Sequence, residues 1–238
     1  MSDLNARVNE TRGILERIAR DFAPACFASS LAAEDMVLTD LILTAKLPIS
    51  IFSLETGRLH KETLDVLEKV KAHYGYDIAV FRPEAAAVER YVSQNGLNAF
   101  YDSVDMRKEC CRIRKVEPLG RALAGKAAWI TGQRRAQSTT RAELAVQEDD
   151  AAHGMQKFNP LADWSEADVW EYIRANGVPY NALHDRGYPS IGCEPCTRAI
   201  QPGEDVRAGR WWWENPESKE CGLHLVDGKL VRIKSVAA

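Results

Sequence analysis

The chain has 238 residues, of which 45% are hydrophobic and 27% are charged. These proportions are typical of a folded globular protein and exclude a disordered, collagen-like or disulfide-framework chain. The formal net charge of −3 excludes a globally basic surface. We therefore expect no nucleic-acid partner, and any site for an anion must be a local patch.

Charged side chains occur throughout the first twenty residues, a pattern that fits neither a signal peptide nor a membrane span. We therefore expect a cytoplasmic protein with no membrane partner. In a reducing compartment, cysteines serve as ligands, nucleophiles or core residues more often than as disulfide partners. The six cysteines are Cys26, Cys110, Cys111, Cys193, Cys196 and Cys221.

Hydrophobic periodicity predicts alternating helices and strands along the first 130 residues. An amphipathic helix over the first twenty residues ends before Pro24, and a strand-sized apolar run, Ala25–Ala28, follows. The other expected helices span 33–43, 61–74, 84–93 and 110–123, and the other expected strands span 48–54, 76–81 and 126–130. Strands that alternate with helices predict an α/β fold, with a mostly parallel twisted sheet flanked by helices.

The second half of the chain contains one clear helix signal. A capping box that begins at Ser165 predicts a helix, and Gly177 ends it. The chain beyond is rich in Pro, Gly, Cys and Trp and predicts an irregular segment, which we expect the tryptophan run 211–213 to pack down. We therefore expect one α/β domain over residues 1–200 and a C-terminal segment over 201–238.

Three loops that follow predicted strands are candidates for a binding pocket. Ligands of open α/β sheets bind at the carboxyl ends of the strands, where loops 29–35, 55–59 and 131–141 converge. Hydroxyls, free N–H groups at a helix start and arginines would suit a doubly anionic substrate. An alternative of equal weight is that the serines only cap a helix and the arginines only form a solvated loop. The side chains concerned are Ser29, Ser30, Arg134, Arg135 and Arg141.

Two close cysteine pairs, Cys110-Cys111 and Cys193-x-x-Cys196, indicate a metal or iron–sulfur site. A tetrahedral zinc ion needs its sulfurs only about 4 Å apart, whereas adjacent helical side chains diverge by roughly 100°. This divergence favours the wider corners of a [4Fe-4S] cluster over zinc. A vicinal disulfide or plain core cysteines are the remaining alternatives.

Cys221 has the surroundings of a nucleophile, since Lys219 and His224 favour its thiolate form. An incidental surface cysteine is the alternative. Upstream, Arg207 and Arg210 are candidates to complete an anion clamp, although a pair of arginines also suits a solvated face.

Taken together, these motifs resemble the iron–sulfur adenylyl-sulfate (APS) reductases of the assimilatory sulfonucleotide reductase family. The resemblance extends roughly from Ser29 to His224, and its paired cysteines and Glu-Cys-Gly-Leu-His stretch are highly specific. Ala32 stands where the family commonly has glycine, and Glu55 where it commonly has aspartate. The stretches that carry the resemblance are 29–35, 54–59, 110–115, 129–135, 193–196 and 220–224.

The resemblance implies an adenine-nucleotide hydrolase-like, or ATP-pyrophosphatase-like, fold and thioredoxin-dependent reduction of adenosine 5'-phosphosulfate to sulfite and AMP. It implies that the Cys221 thiolate takes the sulfonyl group and that thioredoxin then releases sulfite. The implied ligands of one [4Fe-4S] cluster per chain are Cys110, Cys111, Cys193 and Cys196. The implied substrate-binding residues are Ser29, Ser30, Leu54, Thr56, Lys115, Gly132, Arg141, Arg207, Arg210 and His224.

The implied cluster would act structurally and electrostatically, because the two thiols of thioredoxin supply both electrons. Lys115 lies about one helical turn after Cys111, and we expect it to link the field of the cluster to the bound sulfate. The alternatives are a reductase of 3'-phosphorylated APS (PAPS) or of both nucleotides, an ATP-pyrophosphatase-type thiolation enzyme, and a zinc-stabilised regulator that binds nucleotide without catalysis. Both a monomer and a homo-oligomer are compatible with these motifs.

Overall fold

The computed structural model describes residues 2–138 and 141–215 of the chain. The strands are β1 (Ala25–Ala28), β2 (Ile49–Leu54), β3 (Ala79–Phe81), β4 (Ala128–Ile130), β5 (Gln147–Asp150) and β6 (Met155–Phe158). The helices are α1 (Ser2–Asp21), α2 (Ala33–Thr44), α3 (Lys61–Tyr74), α4 (Ala85–Asn95), α5 (Val104–Cys111), α6 (Glu117–Leu123) and α7 (Glu166–Asn176). The strands form one sheet in the order β3-β2-β1-β4-β6-β5. All neighbours pair in parallel except β5 and β6, which confirms the predicted mostly parallel sheet.

The predicted elements around the centre of the sheet agree closely with the structure. Strand β1 and helix α3 have the predicted bounds, and β1 lies between β2 and β4, with Phe27 beside Ile51 and Ile130. Helix α7 begins at the predicted capping box, in which the Ser165 hydroxyl accepts the N–H of Asp168. Local signals suffice here because periodicity and capping agree with the tertiary packing.

The helix that carries the first cysteine pair begins earlier than predicted. The Ser103 hydroxyl accepts the N–H of Met106 and caps α5, so the helix starts at Val104 instead of at Cys110. A π-helical turn over Arg112–Val116 joins α5 to α6. The prediction missed this start because the first turns of α5 are polar and lack an apolar stripe.

The β5–β6 hairpin was not predicted. Strand β5 has the sequence Gln-Glu-Asp-Asp, which carries no apolar alternation and pairs only with β6 at the edge of the sheet. Strand β6 lies beside β4 and buries Phe158 completely. Tertiary contacts, and not local strand propensity, therefore place the β5–β6 hairpin in the sheet.

The core lies between the sheet and its helices. Residues of α2 such as Leu38 and Ile42 are fully buried, as is Phe27 in β1. The carboxylate of Asp40 on α2 accepts hydrogen bonds from two tyrosine hydroxyls, those of Tyr74 (2.8 Å) and Tyr172 (2.6 Å). These bonds tie α2 to α3 and α7 and satisfy a buried polar side chain that would otherwise be costly.

The chain after α7 is irregular up to residue 215, as predicted, with short 3₁₀ turns as its regular structure. Its last part returns to an earlier loop, since the Trp211 N–H donates to the Cys196 carbonyl at 3.1 Å. The boundary proposed at residue 200 stays a prediction, and Cys221 and His224 lie outside the described residues. No described helix is both long and apolar enough to cross a membrane.

Candidate active site

A cavity of about 260 Å³ opens at the carboxyl ends of β1, β2 and β4. It lies where α/β sheets bind ligands. Nine of the ten predicted substrate-binding residues line it, and the tenth, His224, falls outside the described part of the chain. The nine are Ser29, Ser30, Leu54, Thr56, Lys115, Gly132, Arg141, Arg207 and Arg210.

The loop after β1 is organised by Asp35. Its carboxylate accepts the N–H of Ser30 at 2.6 Å and the hydroxyl of Ser30 at 2.5 Å, and the Gly132 N–H also donates to it. Burial raises the pKa of Asp35 to about 7, although the Ser30 hydrogen bonds act in the opposite direction. A Cβ at position 132 would overlap this carboxylate, so the close approach of the two loops requires glycine there.

The two departures from the family pattern fit the structure. Ala32 has an extended backbone (φ −82°, ψ 171°), which any residue adopts. The left-handed position of this loop belongs to Leu31 (φ 64°). Glu55 accepts the N–H of Gly57 at 2.6 Å and pairs with Arg82 at 3.3 Å, so its longer side chain closes the turn after β2.

The expectation that Arg134 and Arg135 supply charge to the pocket is wrong. The Arg134 guanidinium is buried and donates to Glu34 at 2.8 and 3.0 Å, while Arg135 pairs with Asp163. Neither arginine lines the cavity. Both therefore hold the loops together, which the sequence could not reveal because their partners lie far away along the chain.

Arg141 belongs to the same network and does line the cavity. Its guanidinium donates to the Gln137 side-chain oxygen at 2.5 Å, and the Gln137 amide donates to Glu34 at 2.9 Å. Glu34 thus supports Arg141 indirectly, through Gln137, a residue that sequence reasoning did not single out.

A second, smaller cavity of about 20 Å³ is lined by all four predicted ligand cysteines. Cys110 and Cys111 end α5, whereas Cys193 and Cys196 bracket a 3₁₀ turn. Apart from the half-buried Cys110, these cysteines are at most 9% exposed. Together they form the cysteine cavity.

Cationic side chains surround the cysteine cavity. Burial raises the pKa of Cys196 to about 12 and also raises that of Cys110, while the positive charge of Lys115 acts in the opposite direction on both. Arg114 further favours the Cys110 thiolate and donates to the Thr56 carbonyl at 2.7 Å. In the described chain, no three His, Cys, Asp or Glu side chains converge as a group that could hold a metal ion.

The two cavities share a wall made of Lys115, Cys193 and Trp211. Lys115 lies on the π-helical turn after Cys111, a distortion that proteins often place at functional sites. Its side chain therefore faces both the cysteines and the predicted substrate pocket, which is the placement expected for a link between them.

Sequence reasoning assigned the tryptophan run only a packing role and overlooked Arg107. Trp211 is buried, but Trp212 is 39% exposed. The guanidinium carbons of Arg107 and Arg210 lie over the Trp211 ring, at 4.6 and 4.7 Å from its centroid. No local pattern marks Arg107, because its contacts come from a segment about one hundred positions later in the chain.

The sheet, the cavity at its carboxyl edge and the hydroxyl-lined loop before α2 define an α/β protein of the class that carries a candidate binding pocket at the carboxyl ends of its strands. Residues 24–199 match the model of the phosphoadenosine phosphosulfate reductase domain family. The chain belongs to this family.

Two curated relatives, both named adenosine 5'-phosphosulfate reductase, are closely similar. The Burkholderia cepacia protein is 62% identical over 223 residues, which cover 94% of this chain and 89% of the relative. The Allochromatium vinosum protein is 61% identical over 211 residues, which cover 89% and 82%.

Solved structures agree with the fold. A phosphoadenylyl-sulfate (PAPS) reductase from Candida auris, crystallised as a phosphate complex, aligns with a TM-score of 0.68 at 28% identity, covering 80% of this chain and 90% of that chain. The FMN adenylyltransferase of Candida glabrata aligns with a TM-score of 0.58 at 15% identity, covering 92% and 75%. The second likeness concerns the fold alone.

Proposed function

We propose that this chain reduces adenosine 5'-phosphosulfate to sulfite and AMP, with thioredoxin as the reductant. Its curated relatives carry the name of that activity at 62% and 61% identity. The structural observation that carries the proposal is the shared wall: the anion pocket and the cysteine cavity meet at Lys115.

The pocket offers complementary groups to both ends of this substrate. Apolar side chains, Phe52, Leu119 and Trp129, line part of the cavity and suit a purine. The hydroxyls of the loop after β1 suit the phosphate, and Lys115, with the two arginines of the C-terminal segment, suits the sulfate. Cations placed in this way reduce the repulsion between an attacking thiolate and an anionic substrate.

The proposed reaction has two steps. The Cys221 thiolate attacks the sulfonate sulfur, the bond between that sulfur and the bridging oxygen breaks, and AMP leaves with the bonding pair. A thioredoxin thiolate then attacks the Cys221 sulfur and sulfite departs, again with the bonding pair. The second thioredoxin thiol resolves the mixed disulfide, so the dithiol supplies both electrons. We propose that His224 binds the substrate or tunes Cys221.

We assign one [4Fe-4S] cluster to Cys110, Cys111, Cys193 and Cys196. The four thiols share one cavity with cationic neighbours that favour thiolates, which fits an anionic cluster held by four cysteines. A single zinc ion suits them less well, because it needs its sulfurs only about 4 Å apart, whereas the adjacent helical side chains of Cys110 and Cys111 diverge by roughly 100°. When bound, the cluster would tie α5 to the 193–196 turn and contribute its charge beside Lys115.

The nearest alternative substrate is PAPS. The relatives at about 60% identity are named for APS, whereas the solved PAPS reductase is 28% identical, and this difference favours APS. Because Cys221 must be a free thiol, we place the reaction in a reducing compartment, the cytoplasm.

The decisive experiment uses the full-length protein prepared without oxygen. Sulfite release from APS and PAPS is measured in parallel with thioredoxin, and ³⁵S from labelled APS is followed onto the protein in its absence. We expect sulfite from APS and a covalent label that Cys221→Ser abolishes. Cys26→Ser, at a fully buried strand position, is the matched control and should keep the label. A label that persists in Cys221→Ser, or pyrophosphate release from ATP without sulfite, would overturn the proposal.

A further inference from the structure

An ion pair with buried side chains joins the helix of the first cysteine pair to the C-terminal segment. The Arg107 side chain on α5 is 0% exposed and its Glu214 partner is 4% exposed. Two nitrogens of the guanidinium each donate to one carboxylate oxygen, at 2.8 and 2.9 Å. Buried pairs of this kind contribute little net stability compared with apolar packing, so a role in fixing one arrangement is the better explanation for their presence.

Both members of the pair contact Trp211. The Arg107 guanidinium lies over the Trp211 ring, and the Glu214 N–H donates to the Trp211 carbonyl at 2.9 Å. Trp211 also has a left-handed backbone (φ 41°), which is unfavourable for a residue with a bulky side chain. Tertiary contacts must therefore hold this conformation in place, and the contacts of Arg107 and Glu214 are suited to do so.

Trp211 in turn borders Arg210, which lines the substrate cavity. The Arg210 guanidinium lies over the same ring and donates to the Ile191 carbonyl at 3.2 Å. A Cβ on Gly192 would overlap this guanidinium, so its position is tightly confined. Two cations at one ring repel each other unless one is neutralised, and Glu214 neutralises Arg107.

We propose that Arg107 and Glu214 form a positioning pair that holds Trp211, and through it sets the guanidinium of Arg210 toward the anionic group of the nucleotide. Neither member of the pair lines the substrate cavity. The inference rests on the proposed function in one respect, namely that Arg210 contacts the nucleotide.

The test measures equilibrium binding of APS to full-length protein that carries Cys221→Ser, so that no sulfonyl group is transferred, together with iron content and thermal unfolding. We expect Glu214→Gln and Arg107→Lys each to weaken APS binding by about 10- to 100-fold, as misplacement of a binding group does. The matched control is Glu204→Gln, which loosens the half-exposed Arg198–Glu204 pair of the same segment and should leave binding unchanged.

A double-mutant cycle separates positioning from general damage. In the Arg210→Ala background, Arg107→Lys should cause no further loss of affinity, because the group that it positions is gone. Wild-type affinity in both single variants, or losses that add in full to that of Arg210→Ala, would overturn the inference. If one variant does not fold, the other carries the test, and Trp211→Phe, which keeps an aromatic ring, should bind more tightly than Trp211→Leu.

Failure of the proposed function gives a different result from failure of this inference. A wild-type protein that releases no sulfite from APS refutes the reductase. The coupling between Arg107 and Arg210 is still read from equilibrium binding of APS, which needs no turnover.

Discussion

The loop after β1 and the cysteine cavity are assembled in opposite ways. In the loop, Ser30 and Asp35 are five positions apart and bond directly, and Gly132 approaches the same carboxylate from elsewhere in the chain. In the cavity, Cys110 and Cys193 come from different halves of the chain and meet only in the folded protein. A site built from neighbouring residues, such as the loop after β1, depends mainly on local backbone geometry. A site built from distant segments, such as the cysteine cavity, depends on every helix and turn that brings those segments together.

The cysteine cavity should therefore show the largest response to a single change. We expect Cys196→Ser to lose bound iron, visible absorbance and sulfite production, and to lower the melting temperature, because the ligand set ties α5 to a distant turn. The measurements are iron content, an absorbance spectrum and thermal unfolding without oxygen. Cys26→Ala removes another buried sulfur, from β1, and should keep its iron. Equal iron in the two variants would contradict the assignment.

Lys115 borders both cavities, and its removal tests whether they act together. We expect Lys115→Ala to reduce turnover of APS by about 100- to 1,000-fold, the cost of losing one preorganised cation. If Lys115 links the two cavities, APS should shift the visible spectrum of the wild type, and this shift should be absent in Lys115→Ala. Lys126→Ala removes a lysine that donates to Ser50 at the opposite edge of the sheet and should have little effect. Unchanged turnover and an unchanged spectral response in Lys115→Ala would refute the link.

A smaller change is expected in the loop after β1. Gly132→Ala places a methyl group where the Asp35 carboxylate lies, so the two loops must separate. We expect AMP to bind about 10-fold more weakly, by calorimetry, because separated loops misplace the phosphate site. Gly120→Ala, on α6, meets open space and should bind AMP normally. Tight binding by Gly132→Ala would show that this close approach does not matter.

The last prediction concerns the pH dependence of stability. Burial raises the pKa of Asp35 to about 7 from its ordinary value of 3.8. The folded protein thus keeps a proton that the unfolded chain releases, and this contribution to stability is full below about pH 4 and is lost as the pH rises to about 7. Asp35→Asn should flatten the dependence of unfolding free energy on pH across this window, measured by urea denaturation.

The control for the pH experiment is Asp65→Asn, an exposed position on α3, which should keep the wild-type slope. A slope in Asp35→Asn as steep as in the wild type would show that Asp35 is not the group that titrates.

The sequence by itself determined the α/β class, the central strands and helices, and the cysteines and pocket residues whose chemistry is uncommon enough to stand out. Hydrophobic periodicity and capping are local properties, so β1, α3 and α7 were predictable. Only the tertiary structure decided that Arg134 is buried against Glu34 and that β5 joins the sheet. It also decided that Arg107 meets Glu214. These choices depend on desolvation and on contacts between distant segments, which no short stretch of sequence encodes.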